Sequence, residues 1–301
     1  MFAGAPDAPP SIALGKGGWA ERQADGTWVY RDYPVTNARD ADPISADADS
    51  RDSAWVSVGA MGGVANGSAL LRWTRLEGMR VVPLEGAWSI GAILANRPDD
   101  VLVGVVKITQ TCDLRHWNGS AWTQRFELDH FGGVVRGMGI EPDGAVLVAR
   151  FYPHYMAPAP SELVRCRGSS CVILREIRGV LGPESLQLAK DRSNAFWLRD
   201  PAGGLQLRRV GESDFMRVST VATPTNSYPA LLGSGLLALV RASASSSDNV
   251  IVSIDGATAT PRPLATVPSM LRGSAIWAEN ERSLWFGTEN GGILHWTSDS
   301  P

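Results

Sequence analysis

Short apolar runs, closed off by glycine, asparagine and aspartate, mark the chain from one end to the other. One run recurs with little change. It reads Trp55-Val56-Ser57-Val58-Gly59, Leu102-Val103-Gly104, Leu147-Val148-Ala149, Trp197-Leu198-Arg199, Leu237-Ala238-Leu239 and Trp285-Phe286-Gly287. The leading positions differ by 47, 45, 50, 40 and 48 residues. An earlier copy fits at Ile12-Ala13-Leu14-Gly15, and a similar apolar segment precedes most copies, such as Ile90-Gly91-Ala92-Ile93-Leu94 or Ala275-Ile276-Trp277-Ala278. Runs of this length and composition predict β-strands.

A strand, a tight glycine turn and another strand follow each copy. The clearest cases are Arg115-His116-Trp117-Asn118-Gly119-Ser120-Ala121-Trp122 and Val164-Arg165-Cys166-Arg167-Gly168-Ser169-Ser170-Cys171. Weaker ones are Ala24-Asp25-Gly26-Thr27-Trp28, Arg209-Val210-Gly211-Glu212 and Ile254-Asp255-Gly256-Ala257. Asn-Gly and Asp-Gly suit the positive φ angles of a hairpin turn. Four strands per unit at this period, with few helical stretches, predict an all-β protein, a single β-propeller of four-stranded blades. A parallel β-helix needs shorter rungs, and a sandwich does not keep so regular a spacing. Seven blades is the preferred count and six the alternative, in which the Trp28-Val29-Tyr30 strand would complete the last blade and remove an open edge. Residues 1–10 read as a disordered lead-in and residues 11–301 as one propeller domain.

The final unit, Glu281-Arg282-Ser283-Leu284-Trp285-Phe286-Gly287-Thr288-Glu289-Asn290-Gly291-Gly292-Ile293-Leu294, resembles the repeat of two-component-regulator propellers. The resemblance implies a propeller and a sensing role outside the cytoplasm. The hairpin Ala24-Asp25-Gly26-Thr27-Trp28 is distantly similar to the Asp-box of sialidase-like propellers, although its spacing differs.

Composition narrows the functional classes. A net charge of −3 argues against the broad attraction that nucleic acid or an anionic membrane requires. No apolar run is long enough to span a bilayer as a helix. The start of the chain lacks the basic and apolar regions of a signal peptide, so either the protein is cytoplasmic or a targeting segment lies outside the chain. Of the 28 basic residues only Lys16, Lys107 and Lys190 are lysines, and arginines this abundant give no positional signal by themselves.

Trp73, Trp117 and Trp296 occupy one repeat position, taken by Cys166 in the fourth unit. Recurrence at one position predicts packing between blades or across a hairpin. Trp117 and Trp122 flank a four-residue turn, as do Cys166 and Cys171. If the tryptophans oppose one another, the cysteines should as well, close enough for a disulfide. The alternative is two reduced thiols. Such a bond implies an oxidising compartment, periplasmic or secreted, and leaves Cys112 unpaired. Three cysteines without a histidine pair do not make a zinc site, and no cofactor is expected.

His116 and His295 each precede a repeat tryptophan and read as strand residues. In a propeller the loops between blades and the second-to-third-strand loops share a face. Asp129 and His130, the long loop holding Tyr152, His154 and Tyr155, and the loop beginning at Lys107 should therefore gather in one sector of one rim. They could grip a polar ligand, with the tyrosines stacking on a sugar. The plainer alternative is a surface loop stiffened by Pro153, Pro158 and Pro160. The reading that follows is a non-catalytic binding module for an unknown small molecule, glycan or protein. The second is a carbohydrate hydrolase or lyase using His130, His154, Tyr152 or Tyr155.

Overall fold

The structure, a computed structural model, describes residues 1–4, 8–36, 38–60, 68–107, 109, 111–128, 133–151, 161–177, 187–191, 194–199, 205–218, 230–232, 235–241, 249–267, 276–287 and 292–298. Among these there is no α-helix, and a single 3₁₀ turn spans Ala38–Asp40. All other regular structure is antiparallel sheet.

The first sheet holds β1 (Phe2–Ala3), β2 (Ile12–Gly15), β3 (Gly18–Arg22) and β4 (Trp28–Asp32). The second holds β5 (Ala41–Ser50), β6 (Ser53–Ala60), β7 (Ser68–Thr74) and β8 (Gly78–Val82). The third holds β9 (Ala87–Arg97), β10 (Asp100–Lys107), β11 (Cys112–Trp117) and β12 (Trp122–Leu128). The fourth holds β13 (Val134–Ile140), β14 (Val146–Phe151), β15 (Ser161–Arg167) and β16 (Ser170–Ile177). The fifth holds β17 (Gln187–Lys190), β18 (Phe196–Arg199), β19 (Leu205–Arg208) and β20 (Met216–Arg217). The sixth holds β21 (Ala230–Leu232), β22 (Gly235–Arg241), β23 (Asn249–Asp255) and β24 (Pro261–Val267). The last sheet has three strands, β25 (Ile276–Asn280), β26 (Ser283–Gly287) and β27 (Ile293–Thr297).

Strand order follows chain order in every sheet. This makes a β-propeller with six complete four-stranded blades, the alternative count, and a three-stranded sheet beside the first blade. The Trp28–Asp32 strand does not complete the last blade as that alternative supposed. It pairs with β3 in the first, because its own glycine turn at Gly26 folds it straight back. The lead-in expected over residues 1–10 also differs. Phe2 and Ala3 pair with Ala13 and Ile12 and are buried, since two apolar residues can fill the narrow inner position of a blade.

Apolar clusters fill each gap between neighbouring sheets. Trp19 and Trp73 meet edge to face between the first two. Trp55, Leu70 and Val103 fill the next gap, and Leu114, Val148 and Cys166 the one after. Phe196 and Leu198 pack against Leu147, Trp197 and Leu207 against Ile254, and Ile251 against Phe286. The circle closes where Phe2 and Ala13 meet Trp285. Trp28 lies edge to face on that indole at 5.9 Å, and His295 stacks on it at 3.9 Å. Trp73, Trp117, Cys166 and Trp296 each face the preceding blade, so the shared repeat position is a packing position.

Backbones of adjacent inner strands come very close. A Cβ on Gly137 of β13 would lie 2.3 Å from the carbonyl oxygen of Leu188 on β17, and one on Gly91 of β9 at the same distance from that of Val135. Only glycine permits this approach. Side chains also tie inner strands together. Ser45 Oγ accepts from Ile93 N at 3.1 Å and Asp47 Oδ2 from Ala95 N at 2.8 Å, which joins β5 to β9.

A second repeated feature anchors the core tryptophans. Asp49 accepts from Trp55 Nε1 at 3.0 Å, and Asp191 accepts from Trp197 Nε1 at 2.8 Å. In each case the carboxylate lies six residues before the indole, at the end of the first strand of its blade for Asp49 and just after that strand for Asp191. It satisfies the one donor of a side chain that is otherwise buried among hydrocarbons.

Candidate functional site

Because the strands of each blade alternate in direction, connections alternate between the two faces of the ring. One face carries the second-to-third-strand loops and the links between blades. The opposite face carries the first-to-second and third-to-fourth turns.

Asp129, His130, Tyr152, His154 and Tyr155 lie outside the described residues. The strand ends that flank them, Leu128, Val134, Phe151 and Ser161, fall on one face with Lys107 and Cys112, as the registers Val106–Cys112, Cys112–Leu128, Val134–Phe151 and Arg150–Glu162 require. Lys107 Nζ sits 3.1 Å from Oδ2 of the fully buried Asp113, with Arg115 Nε at 3.6 Å from the same oxygen. A ligand reaching Lys107 would compete with that carboxylate. Beneath this face Arg150, 2% exposed, is paired with Glu162 and donates through Nη1 to the carbonyl of Leu128 at 3.3 Å. This bond holds the last residue of the third blade against the fourth.

Cys166 and Cys171 are direct register partners across β15 and β16 and form a disulfide, with Cα atoms 4.0 Å apart. Trp117 and Trp122 are opposed in the same way one blade earlier, ring centroids 5.4 Å apart. Cys112 is free and buried, and burial pushes its thiol up to about 12. His116 is bound through Nε2 to Asp100 at 2.8 Å, and His295 through Nε2 to Ser283 Oγ at 2.9 Å. Both are occupied within their own sheets.

A pocket of about 400 Å³ opens on the opposite face, between the first and second blades, where no site was expected. Pro9, Pro10, Ser11, Arg22, Gln23, Ala24, Arg51, Asp52 and Arg75 line it. The fold brings them together through repeated local geometry. Arg22 ends β3 and donates its backbone N–H to Ser11 O, just ahead of β2; Arg75 follows β7 and donates its N–H to Asp52 O, just ahead of β6. The two arginines thus hold equivalent positions in successive blades. Ser11 Oγ donates to Arg51 O at 2.7 Å and fastens the turn of the second blade to the first.

Three arginines and one aspartate among the lining residues make the pocket cationic. Arg75 Nε contacts Asp52 Oδ1 at 2.6 Å, and the Arg75 guanidinium carbon lies 5.8 Å from the Trp73 ring centroid. The Arg22 guanidinium carbon lies 5.4 Å from the Trp285 centroid, and its Nε is buried without an acceptor in the protein. Asp25, next to the pocket, is turned back on Thr27, whose N–H and hydroxyl both donate to it. Those bonds hold the Asp25 carboxyl below its ordinary range. Among the described residues no group of three metal-ligating side chains converges, and no helix is long and apolar enough to cross a membrane.

Sequence reasoning passed over these arginines because arginine is so common here. Aligning the repeats strand by strand would have shown residues 22 and 75 at one position beside the turn of the adjoining strand pair.

No family model matches the chain, and no curated protein is similar to it. Solved structures share its fold. YCF48 bound to D1 peptide superposes with a TM-score of 0.63 at 12% identity, covering 99% of this chain and 92% of that one. A Bacteroides fragilis protein assigned as a 6-phosphogluconolactonase gives 0.59 at 12% identity, covering 96% and 90%. SapL1 lectin in complex with alpha methyl fucoside gives 0.54 at 12% identity, covering 86% and 92%. At this identity the likeness extends to the fold alone.

Proposed function

We propose that this propeller is a non-catalytic recognition module that works outside the cytoplasm and holds its ligand in the pocket between the first two blades. The observation that carries the reading is the convergence of Arg22, Arg51 and Arg75 on one cavity of about 400 Å³, the size range of small-molecule sites. Such a cavity offers orientation and charge, and its lining holds no pair of groups suited to general acid and base work. The fold is compatible with a binding role, since YCF48 is seen with a peptide and SapL1 with a fucoside on similar scaffolds. The resemblance of residues 281–294 to sensor-propeller repeats points the same way. The Cys166–Cys171 disulfide supports an oxidising compartment.

The test is a thermal-shift screen of small acids, sugars and peptides against the wild-type chain, Ala24→Trp and Tyr155→Ala. Ala24 is exposed at the pocket edge, so an indole there obstructs the cavity without entering a core. Ligands that raise the wild-type melting temperature should lose their effect on Ala24→Trp, keep it on Tyr155→Ala, and be recovered unchanged after incubation. Loss on Tyr155→Ala instead moves the site to the other face. Turnover of a bound sugar would overturn the non-catalytic reading.

A further inference from the structure

We infer that the ligand of this pocket is a compact molecule carrying two negative charges on oxygen, a dicarboxylate or a phosphate monoester. The inference rests on the reading of the pocket as a binding site and names what that site selects.

Charge balance on this face is the first ground. Elsewhere several arginines at or near strand ends meet carboxylates. Arg165 is paired with Glu141 and Asp143, Arg208 with Glu141, Arg209 with Glu212 and Arg262 with Glu281. At the pocket the proportion reverses, because its lining sets Arg22, Arg51 and Arg75 against Asp52 alone, the neighbouring Asp25 being turned back on Thr27. Like charges facing one cavity repel, and the repulsion grows as water is displaced. A neutral occupant would leave that cost in place. A dianion removes it.

The second ground is the state of Arg22. Its guanidinium is braced on the Trp285 ring at 5.4 Å, while Nε is buried with no acceptor in the protein. A buried charged donor without an acceptor is costly, and an oxyanion oxygen is the acceptor that a guanidinium binds best. Bracing by the indole lowers the freedom lost on binding. The third ground is that the cations come from two blades whose spacing is fixed by the Ser11–Arg51 hydrogen bond, so they are already arranged around one volume. The planar fork of arginine serves carboxylate and phosphate alike, and both therefore belong to the class.

Isothermal titration of the full chain with succinate, phenyl phosphate and the uncharged succinamide, at about 20 mM salt to limit screening, tests this. At least one dianion should bind, and succinamide should bind roughly tenfold more weakly or not at all. The stronger dianion tells carboxylate from phosphate. Arg51→Gln, an exposed position, should weaken the dianion about tenfold with an unchanged melting temperature. Arg22→Lys keeps the charge but removes the fork, and should weaken it as well. Succinamide binding as tightly as succinate, with no loss in Arg51→Gln, overturns the charge inference, while the pocket survives as a site if Ala24→Trp abolishes that binding. Dianion binding that persists in Ala24→Trp places the anion elsewhere and overturns both.

Discussion

Gly137→Ala is the most direct probe of how the blades are spaced. The added methyl would stand 2.3 Å from Leu188 O, 2.7 Å from Leu188 N and 2.8 Å from Leu188 Cβ. All three belong to a neighbouring strand that is hydrogen-bonded in its own sheet, so no flexible side chain can swing away. Restoring an ordinary contact of 3.4 Å means separating β13 and β17 by about 1 Å, which opens the Leu147, Phe196 and Leu198 cluster behind them. Forcing atoms into a filled interior costs ~1–3 kcal/mol, and a closed ring resists relief by rigid movement, so the upper end applies. A chain of 301 residues has an unfolding entropy near 0.6 kcal/mol/K, so ~3 kcal/mol lowers the melting temperature by about 5 °C. Differential scanning calorimetry of Gly137→Ala beside Gly15→Ala measures this. Gly15 has no atom within 4 Å of the added carbon, so its variant should melt within ~1 °C of wild type, the range of neutral surface changes. Equal melting of Gly137→Ala and wild type would refute the account of glycine as the spacer between blades.

Three further outcomes follow from the same coordinates. Under denaturation without reductant one thiol, Cys112, should titrate, and three after reduction; replacing Cys166 and Cys171 by serine should cost about 2 kcal/mol from the short loop that the bond closes, and three free thiols at the outset would remove the bond. Burial raises Asp47 from 3.8 to about 6 despite the two N–H groups that donate to it. The folded protein therefore holds this proton more tightly than the unfolded chain, and its contribution to stability is greatest below about pH 4 and is lost as pH rises through 6. The urea stability of Asp47→Asn relative to wild type should improve by up to about 3 kcal/mol between pH 4 and pH 7, and a difference that does not change with pH would contradict this. Asp191→Ala leaves the Trp197 indole N–H buried without a partner and should cost ~1–3 kcal/mol. Adding Trp197→Phe to Asp191→Ala should show a favourable coupling in a double-mutant cycle of melts, and strict additivity would mean that the hydrogen bond contributes nothing.

The architecture was legible because every blade repeats one chemical instruction, an apolar run followed by a glycine turn. Gly26, Gly119, Gly168 and Gly211 all take the positive φ that the turns demanded. The Cys166–Cys171 bond was legible for the same reason, since Trp117 and Trp122 in the previous blade revealed which positions oppose. The turn after Ile254 reads differently. There Asp255 caps the N–H groups of Ala257 and Thr258, and Ala259, at φ 56°, takes the left-handed position in place of Gly256. The anchoring pairs Asp49–Trp55 and Asp191–Trp197 recur at a fixed interval and could have been read, had the turn before each repeat tryptophan been aligned with the strand. The pocket was harder. Its lining is drawn from turns some 65 residues apart, Pro9 to Arg75, and only the register of strands in two different sheets brings those turns together.

No strand among the described residues is shared between the first and last sheets, which meet through the side chains around Trp285 and through the hydrogen bond that Trp277 Nε1 donates to Ala8 O at 2.9 Å. The ring is therefore a band fastened by a clasp, able to loosen there without breaking any ladder of backbone hydrogen bonds. Arg22 rests on that same indole and is also a lining residue of the pocket. A substitution at residue 22 therefore touches the clasp and the pocket together.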